Sequence, residues 1–368
     1  MRGSSLLFKQ RRYNVVELIL ESLPVKSLLR FKSVSKNWKS TIESQRYQER
    51  QWICRRQSRG PDVLRMCLDY SSDDDDDDYG GLDTDAQRVV VGPSKVYTVR
   101  FPTSGSRVCF GSCDGLVCLY TLSMCTPSVS VVVNPATRCH RSFPLSTYQQ
   151  LTRKEYTYPS PELGFGKDKV RGTYKPVWLY NSSELGLDNV TTCEVFDFST
   201  NAWRYVVPAS PYPIHPYSRP VYLDGSLYWL TGCKETKVLS LDLHTETFQV
   251  ICRTPYSHVH YNHIIMCILD NRLCLSYREH YTQEIWSLDS SGTWKEMCSI
   301  DLTKTRHWFG EWTPVPVAIL EKSKLLLRGS TYVQPLVIHD LHSKSYDLLF
   351  KPTKHVGAVY YFQSLFSV

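Results

Sequence analysis

Two hydrophobic periods divide the chain. From Val15 to Ile42 apolar residues recur every three or four positions: Val16, Ile19 and Leu20, then Val25, Leu28 and Leu29, then Phe31, Val34, Trp38 and Ile42. That spacing places each set on one face of a helix, with Lys32, Lys36 and Lys39 between them on the wet side. Leu23-Pro24 separates the first two helices, because proline cannot continue a helix but fits the first turn of the next. Helices this short cannot bury such stripes among themselves. Ser44 to Arg59 continues as a polar, basic helical tail anchored by Tyr47, Trp52 and Ile53, and Gly60-Pro61 marks a boundary.

From Asp62 onward the pattern changes to short segments rich in Val, Tyr, Cys and Leu, punctuated by Gly, Pro, Asn and Asp, which is strand-and-turn grammar. A weak repeat runs through it. An apolar strand, a turn carrying Asn, Asp, Ser or His with Thr, and a second strand occur at 131–144, 193–206, 238–251, 284–297 and 336–349. Asn201, Glu246, Gly292 and Lys344 mark equivalent turn positions at steps of 45, 46 and 52 residues. A second pair of strands precedes each later hairpin, with turns at Asp224-Gly225, Asp270-Asn271 and Lys322-Ser323. Asp-Gly between apolar runs is a strong hairpin signal, and two hairpins per repeat supply the four strands of a propeller blade. The predicted fold is therefore a small all-α domain over residues 10–60, an acidic linker or loop over 61–88, and an all-β propeller of about six blades over 89–368. To hide its edges the ring should close by pairing a last strand near Val359 to Phe366 with one near Arg88 to Phe101.

Charge sharpens this picture. The net charge of +7 hides nine acids between Asp69 and Asp85, including the run Asp73 to Asp78; without those nine it would be +16. A block of like charge cannot pack and reads as a solvated loop, whereas a calcium site would need alternating ligands and a glycine turn. The first 60 residues hold 14 basic and four acidic side chains. No nucleic-acid reader motif accompanies that basic face, so an acidic protein partner is the expectation. No run approaches the 18 apolar residues of a membrane span, and Met1 to Asn14 lacks the features of a signal peptide, which points to the cytosol or nucleus. The 13 cysteines, scattered through strands with no paired CxxC, read as small hydrophobes in a reducing compartment.

Two parts of the chain resemble a known family. Glu17-Leu18-Ile19-Leu20, Leu23-Pro24-Val25-Lys26-Ser27-Leu28-Leu29-Arg30-Phe31 and Val34-Ser35-Lys36-Asn37-Trp38 resemble the plant F-box. GSCDGLVCLY (111–120), VVVNPATR (131–138), ELGFG (162–166), the Trp203-Arg204 hairpin, LYWL (227–230), LDLHTETF (241–248) and YYFQSLFSV (360–368) resemble the F-box-associated domain, a kelch-like propeller. The resemblance implies a substrate-recognition subunit of a Skp-cullin-F-box ubiquitin ligase. Its helices would dock a Skp-type adaptor, acidic in this family, and through it a cullin-RING ligase. The propeller would hold a target protein, and the chain would carry no catalytic residues of its own. The adaptor-binding residues it implies are Val16, Leu20, Leu23, Pro24, Leu28, Leu29, Val34 and Trp38. Arg11, Arg12 and Asn14 stand where the family usually opens with Leu-Pro and an acidic residue. The alternative is thus a propeller scaffold that acts without the adaptor.

Other candidate chemistry reads as architecture. Gly111-Ser112-Cys113-Asp114-Gly115 outlines a nucleophile elbow, but the strand Leu116 to Tyr120 follows where a helix is needed. His258, His260 and His263 have ligand-like spacing but only Cys252 or Cys267 as nearby fourth ligands, so exposed loop histidines are expected rather than a metal site. Gly164-Phe165-Gly166 lacks the third glycine and the helix of a dinucleotide fingerprint. No cofactor or metal is expected. A propeller enzyme of the kelch-oxidase type would require metal ligands clustered on one face of the axis. Recurrent aromatics such as Trp203, Trp229, Trp286 and Trp294 read mostly as filling between blades. By residue type, the target surface falls to two irregular stretches: Tyr212, His215, Tyr217 and Arg219, and Arg306, His307, Trp308 and Trp312 with Phe309.

Overall fold

The computed structural model describes residues 15–58, 62–67, 84–90, 96–101, 107–120, 130–152, 161–216, 218–256, 264–330, 335–351 and 356–368. The acidic run 73–78, Tyr217 and the histidines at 258, 260 and 263 lie outside the described residues.

Four helices come first: α1 (Val15–Ser22), α2 (Val25–Phe31), α3 (Lys36–Glu43) and α4 (Gln45–Ser58). Pro24 caps α2, and Ser35 caps α3 by accepting the Trp38 amide on its hydroxyl at 3.1 Å. Arg50 on α4 bridges to α1 through Glu17 at 3.1 Å and through Glu21.

The strands follow as β1 (Asp62–Cys67), β2 (Thr84–Val90), β3 (Val96–Phe101), β4 (Arg107–Cys113), β5 (Leu116–Tyr120), β6 (Ser130–Val133) and β7 (His140–Phe143). After the short helix α5 (Thr147–Thr152) come β8 (Gly164–Lys167), β9 (Tyr174–Asn181), β10 (Thr191–Asp197), β11 (Ala202–Tyr205), β12 (Val221–Leu223), β13 (Ser226–Leu230), β14 (Lys237–Asp242) and β15 (Phe248–Arg253). Next are β16 (Ile264–Leu269), β17 (Arg272–Glu279), β18 (Thr282–Leu288) and β19 (Trp294–Asp301), then the short helix α6 (Arg306–Phe309). The last are β20 (Val315–Leu320), β21 (Lys324–Arg328), β22 (Leu336–Asp340), β23 (Tyr346–Phe350) and β24 (Val356–Tyr361).

Where the sequence led us to expect about six blades, five sheets are cut from continuous chain: β4–β7, β8–β11, β12–β15, β16–β19 and β20–β23, each an antiparallel meander of four strands. The remaining four-stranded sheet is composite, in the order β24-β1-β2-β3. First strands pack on one another around the axis, β4 against β8 and β24, β8 against β12, and β16 against β12 and β20. β24 thus occupies the innermost place of the composite sheet. Two expectations need correction. β24 pairs with β1, Asp62 opposite Tyr361 and Cys67 opposite Val356, rather than with a strand in 88–101. Accordingly the propeller starts at Asp62, inside the stretch read as linker, because β1 is needed to cover the β24 edge.

The repeat seen in the sequence is a repeat of turn chemistry. Asn201, Glu246, Gly292 and Lys344 all have φ between 55° and 78°, and Arg138 of the first hairpin joins them at 65°. Each such turn opens on an Asp or Asn whose carboxyl or amide oxygen accepts amides two or three residues on: Asn134 from Ala136 (2.9 Å), Asp242 from Thr245 (2.7 Å), Asp340 from His342 (2.8 Å). The side chain thereby mimics a turn of backbone and holds the next residue left-handed. Three of the hairpins between first and second strands are two-residue turns with both φ positive, at Asp114-Gly115, Asp224-Gly225 and Asp270-Asn271.

Aromatics join the blades by a recurring hydrogen bond. Trp203 at the outer strand β11 donates its indole N–H to the Pro144 carbonyl (2.8 Å), Trp294 on β19 to that of Arg253 (2.8 Å), and the Tyr346 hydroxyl on β23 to that of Asp301. Each acceptor lies at the end of the preceding blade's outer strand. An ion network joins the sheets β8–β11 and β12–β15. The Lys175 ammonium, almost wholly buried, meets Glu246 at 2.8 Å and Asp168 at 3.5 Å, and Arg204 closes on Glu246. Burial alone would raise the Glu246 carboxyl, but Arg204 and Lys175 hold it below its ordinary value. The buried thiols of Cys193, Cys267 and Cys274 are pushed up by burial, so they behave as small hydrophobes.

Candidate protein-binding surfaces

The helical domain buries one set of apolar side chains and leaves others exposed. The buried set is a cluster of Leu20, Val25, Leu28, Ile42 and Tyr47 completed by Leu365, a residue that follows β24. Leu23, Leu29, Phe31 and Trp38 pack against its margin, and the Phe31 and Trp38 rings meet edge to face at 5.4 Å. Left outside it are Leu18 (50 % exposed), Ile19 (57 %) and Val34 (60 %), with Val16 also exposed. A shallow groove between α1 and α3 is lined by Val16, Glu17, Leu20, Asn37, Trp38 and Thr41. Lys26, Arg30, Lys36 and Lys39 are exposed on the same helices.

The eight residues expected to meet a partner therefore divide. Val16 and Val34 are exposed; Leu23, Pro24, Leu29 and Trp38 are half-buried; Leu20 (2 % exposed) and Leu28 (0 %) are enclosed. The reason is that the stripe at Leu20, Val25 and Leu28 is covered by Leu365 of the same chain. Leu18 and Ile19, which are exposed, also sit inside the stretch that resembles the F-box.

Helix α4 fixes this domain to one face of the propeller. The Trp52 indole donates to the Asp114 carboxylate at 3.0 Å, and Arg56 donates to the Asn271 side chain at 2.6 Å. Asp114 and Asn271 lie in turns between first and second strands of two blades. In an antiparallel meander the connections from one blade to the next emerge at the opposite face. Both irregular stretches picked from the sequence are such connections, 206–220 between β11 and β12 and 302–314 between β19 and β20. They therefore lie on the face away from the helices.

Within them, residue type and exposure part company. His215 is buried, its amide bonded to the Leu230 carbonyl at 2.9 Å, so its backbone braces the loop. Tyr212 is half-buried with the Lys237 ammonium 4.6 Å above its ring, and Arg219 is paired with Glu162 at 3.1 Å. Trp308 is half-buried against the core between β16–β19 and β20–β23, while the ring of exposed His307 lies 4.2 Å from it. Trp312 is 64 % exposed, and Arg306 is exposed with its guanidinium 3.4 Å from the Tyr281 hydroxyl. A residue the sequence did not single out holds this loop: Arg278, buried at the end of β17, donates to the carbonyls of Trp312 (2.7 Å), Gly310 (3.3 Å) and His280 (2.8 Å). The exposed side chains of 306–312 thus stand on a pinned loop. Among the described residues no group of three or more His, Cys, Asp or Glu could hold a metal ion, and no helix is long and apolar enough to cross a membrane.

A helical domain fixed to the turn side of a propeller whose far side carries loops is the architecture of this chain. Comparison with known families gives the class its name. Residues 13–49 match the F-box domain and residues 100–368 match the F-box associated beta propeller domain. F-box protein At1g11270 of Arabidopsis thaliana is 57 % identical over 306 residues, covering 79 % of this chain and 93 % of that protein. F-box/LRR-repeat/kelch-repeat protein At1g09650 of the same plant is 46 % identical over 389 residues, 99 % of this chain and 98 % of that one. The chain belongs to the family of F-box proteins with an F-box-associated propeller.

Proposed function

We propose that this chain is the target-recognition subunit of a Skp-cullin-F-box type ubiquitin ligase. The outward face of α1 and the α2–α3 corner, with Val16, Leu18, Ile19 and Val34, docks a Skp-type adaptor, and the far loop face binds the target protein. Chemistry is left to other subunits, and the place of work is the cytosol or nucleus, where such an adaptor is met. The observation that carries this reading is the exposure of Leu18, Ile19 and Val34 on a domain that has buried its other apolar stripe against its own chain. Large apolar side chains left in water on so small a folded domain favour an interface there. The exposed Lys26, Arg30, Lys36 and Lys39 favour an acidic partner. The target face is carried by Trp312, Arg306 and His307, whose loop is already ordered and so loses little freedom on binding.

The test is co-purification of the full chain with a Skp-type adaptor. Wild type should form a stoichiometric complex and the double variant Ile19→Asp, Val34→Asp should not. Failure of wild-type protein to bind the adaptor would leave the propeller as an independent scaffold.

A further inference from the structure

We propose that residues 362–368 act as a positioning clamp that completes the F-box and fixes its angle on the propeller, so that the adaptor-binding face forms only when the ring has closed. The proposal rests on the ligase reading for its consequence, though its structural half can be tested without an adaptor.

Four sets of contacts converge on this segment. Leu365, buried, joins Leu20, Val25, Leu28, Ile42 and Tyr47 in one cluster, so the F-box core contains a side chain from beyond the last strand of the propeller. Asn134, fully enclosed in the first blade's outer turn, donates its amide to the carbonyls of Ser364 (3.0 Å) and Phe366 (2.8 Å), and this orients the Leu365 side chain toward the helices. Phe362 lies 5.6 Å from the Trp52 ring, and the Arg56 guanidinium sits over both rings, 4.9 Å from Trp52 and 5.8 Å from Phe362. Trp52 in turn donates to Asp114, which also takes hydrogen bonds from Lys167 (2.8 Å) and the Tyr174 hydroxyl (3.1 Å). Finally Gly115, at φ 79°, lets the segment pass: a Cβ there would collide with the Phe362 carbonyl and the Ser364 side chain.

The helices need this support. α1, α2 and α3 are 8, 7 and 8 residues long, and isolated helices below about 12–15 residues are marginal in water. The connectivity couples their folding to ring closure. α4 runs into β1, β1 pairs with β24, and β24 runs into residues 362–368, which return to α1–α4. The path is a loop through both domains, so opening it at either place releases the other.

The experiment uses the full chain and compares wild type, Leu365→Asp, Leu365→Met and the double variant Trp52→Ala, Arg56→Ala. Amide exchange is read for α1–α3 and, as internal control, for β16–β19, together with adaptor affinity. In Leu365→Asp, protection of α1–α3 should fall at least tenfold with β16–β19 unchanged, adaptor affinity should fall at least tenfold, and Leu365→Met should restore both. Should Leu365→Asp also unfold β16–β19, the double variant decides, since its changes lie only on the F-box side; it too should lose α1–α3 protection. Wild-type protection of α1–α3 in Leu365→Asp, or in the double variant where that one decides, overturns the proposal. If wild type binds no adaptor, the ligase reading fails while the exchange measurements still decide the clamp.

Discussion

Substituting Ile19 and substituting Leu28 should both weaken adaptor binding by at least about tenfold, for opposite reasons that can be separated. Leu28 is fully enclosed among Leu20, Val25, Ile42, Tyr47 and Leu365. Leu28→Ala removes that packing and leaves a cavity, at a cost of about 2–5 kcal/mol. Small helices held by one cluster cannot absorb that loss, so amide protection across α1–α3 should collapse and binding with it. Ile19 is more than half exposed, so Ile19→Asp should change stability by no more than about 0.5 kcal/mol. Removing a large apolar side chain from an interface costs roughly 1.5–3 kcal/mol, which is about 10- to 150-fold in affinity before the desolvation of the new carboxylate is added. Val34→Asp, at the α2–α3 corner, should behave alike. The assay is calorimetric titration of the adaptor into each variant, paired with hydrogen exchange of the free protein. The reasoning is refuted if Ile19→Asp and Val34→Asp bind as wild type does while Leu28→Ala loses affinity with its helices still protected. That pattern would mean the adaptor reads the inward stripe after the helices have swung away from Leu365.

Four further outcomes are expected. Raising the salt concentration from about 0.05 to about 0.5 M should slow adaptor association by an order of magnitude with little change in dissociation, because Lys26, Arg30, Lys36 and Lys39 act through long-range steering; a salt-independent rate by stopped flow would argue against an acidic partner. Arg278→Ala frees three carbonyls from a buried guanidinium, at about 1.5 kcal/mol or more, and should raise amide exchange over 306–313 at least tenfold without affecting β12–β15. Gly115→Ala places a side chain at φ 79° against the Phe362 carbonyl and should destabilise the fold by at least about 1–2 kcal/mol in denaturant titrations. Glu246→Gln strips the Lys175 ammonium of one of its two carboxylates, costing roughly 3 kcal/mol near neutrality. The pH dependence of this last site has a definite sign. Glu246 and Asp168 are held below their ordinary values of 4.5 and 3.8, so their contribution is complete above those values and disappears as pH falls through the lower folded ones. Glu246→Gln should therefore flatten the acid limb of the stability curve, and an unchanged limb would show that the network does not govern it.

The propeller was legible because its repeat is written in turns. A residue such as Asp242 followed four positions later by Glu246 encodes a local backbone shape that depends on nothing distant, and the same is true of Asp224-Gly225. Ring closure was less legible. β1 is six residues long and stands before a block of aspartates, so composition marks the region as linker, and only the unpaired edge of β24 explains why Asp62 to Cys67 becomes a strand. The target-face candidates were drawn by residue type, and type does not carry exposure. His215 and Trp312 are equally plausible readers on paper, yet one is enclosed beside the Leu230 carbonyl and the other stands in solvent on a loop that Arg278 ties down.

The F-box shows the same limit in sharper form. Helical periodicity tells which residues share a face but not what covers that face. Leu20 and Leu28 fall on an apolar stripe whether the covering surface belongs to an adaptor or to Leu365, and no local feature near residue 20 refers to residue 365. Resemblance compounds the ambiguity, because sequence similarity in a binding domain preserves its own core as strongly as its interface. What separates the two is physical: a side chain buried within the free protein stabilises its fold, and only one left in water can gain by meeting a partner. That criterion is why the adaptor surface proposed above is Leu18, Ile19 and Val34 rather than Leu20 and Leu28. The inward stripe then has a different part, which is to make the adaptor-binding face depend on a propeller that has closed its ring.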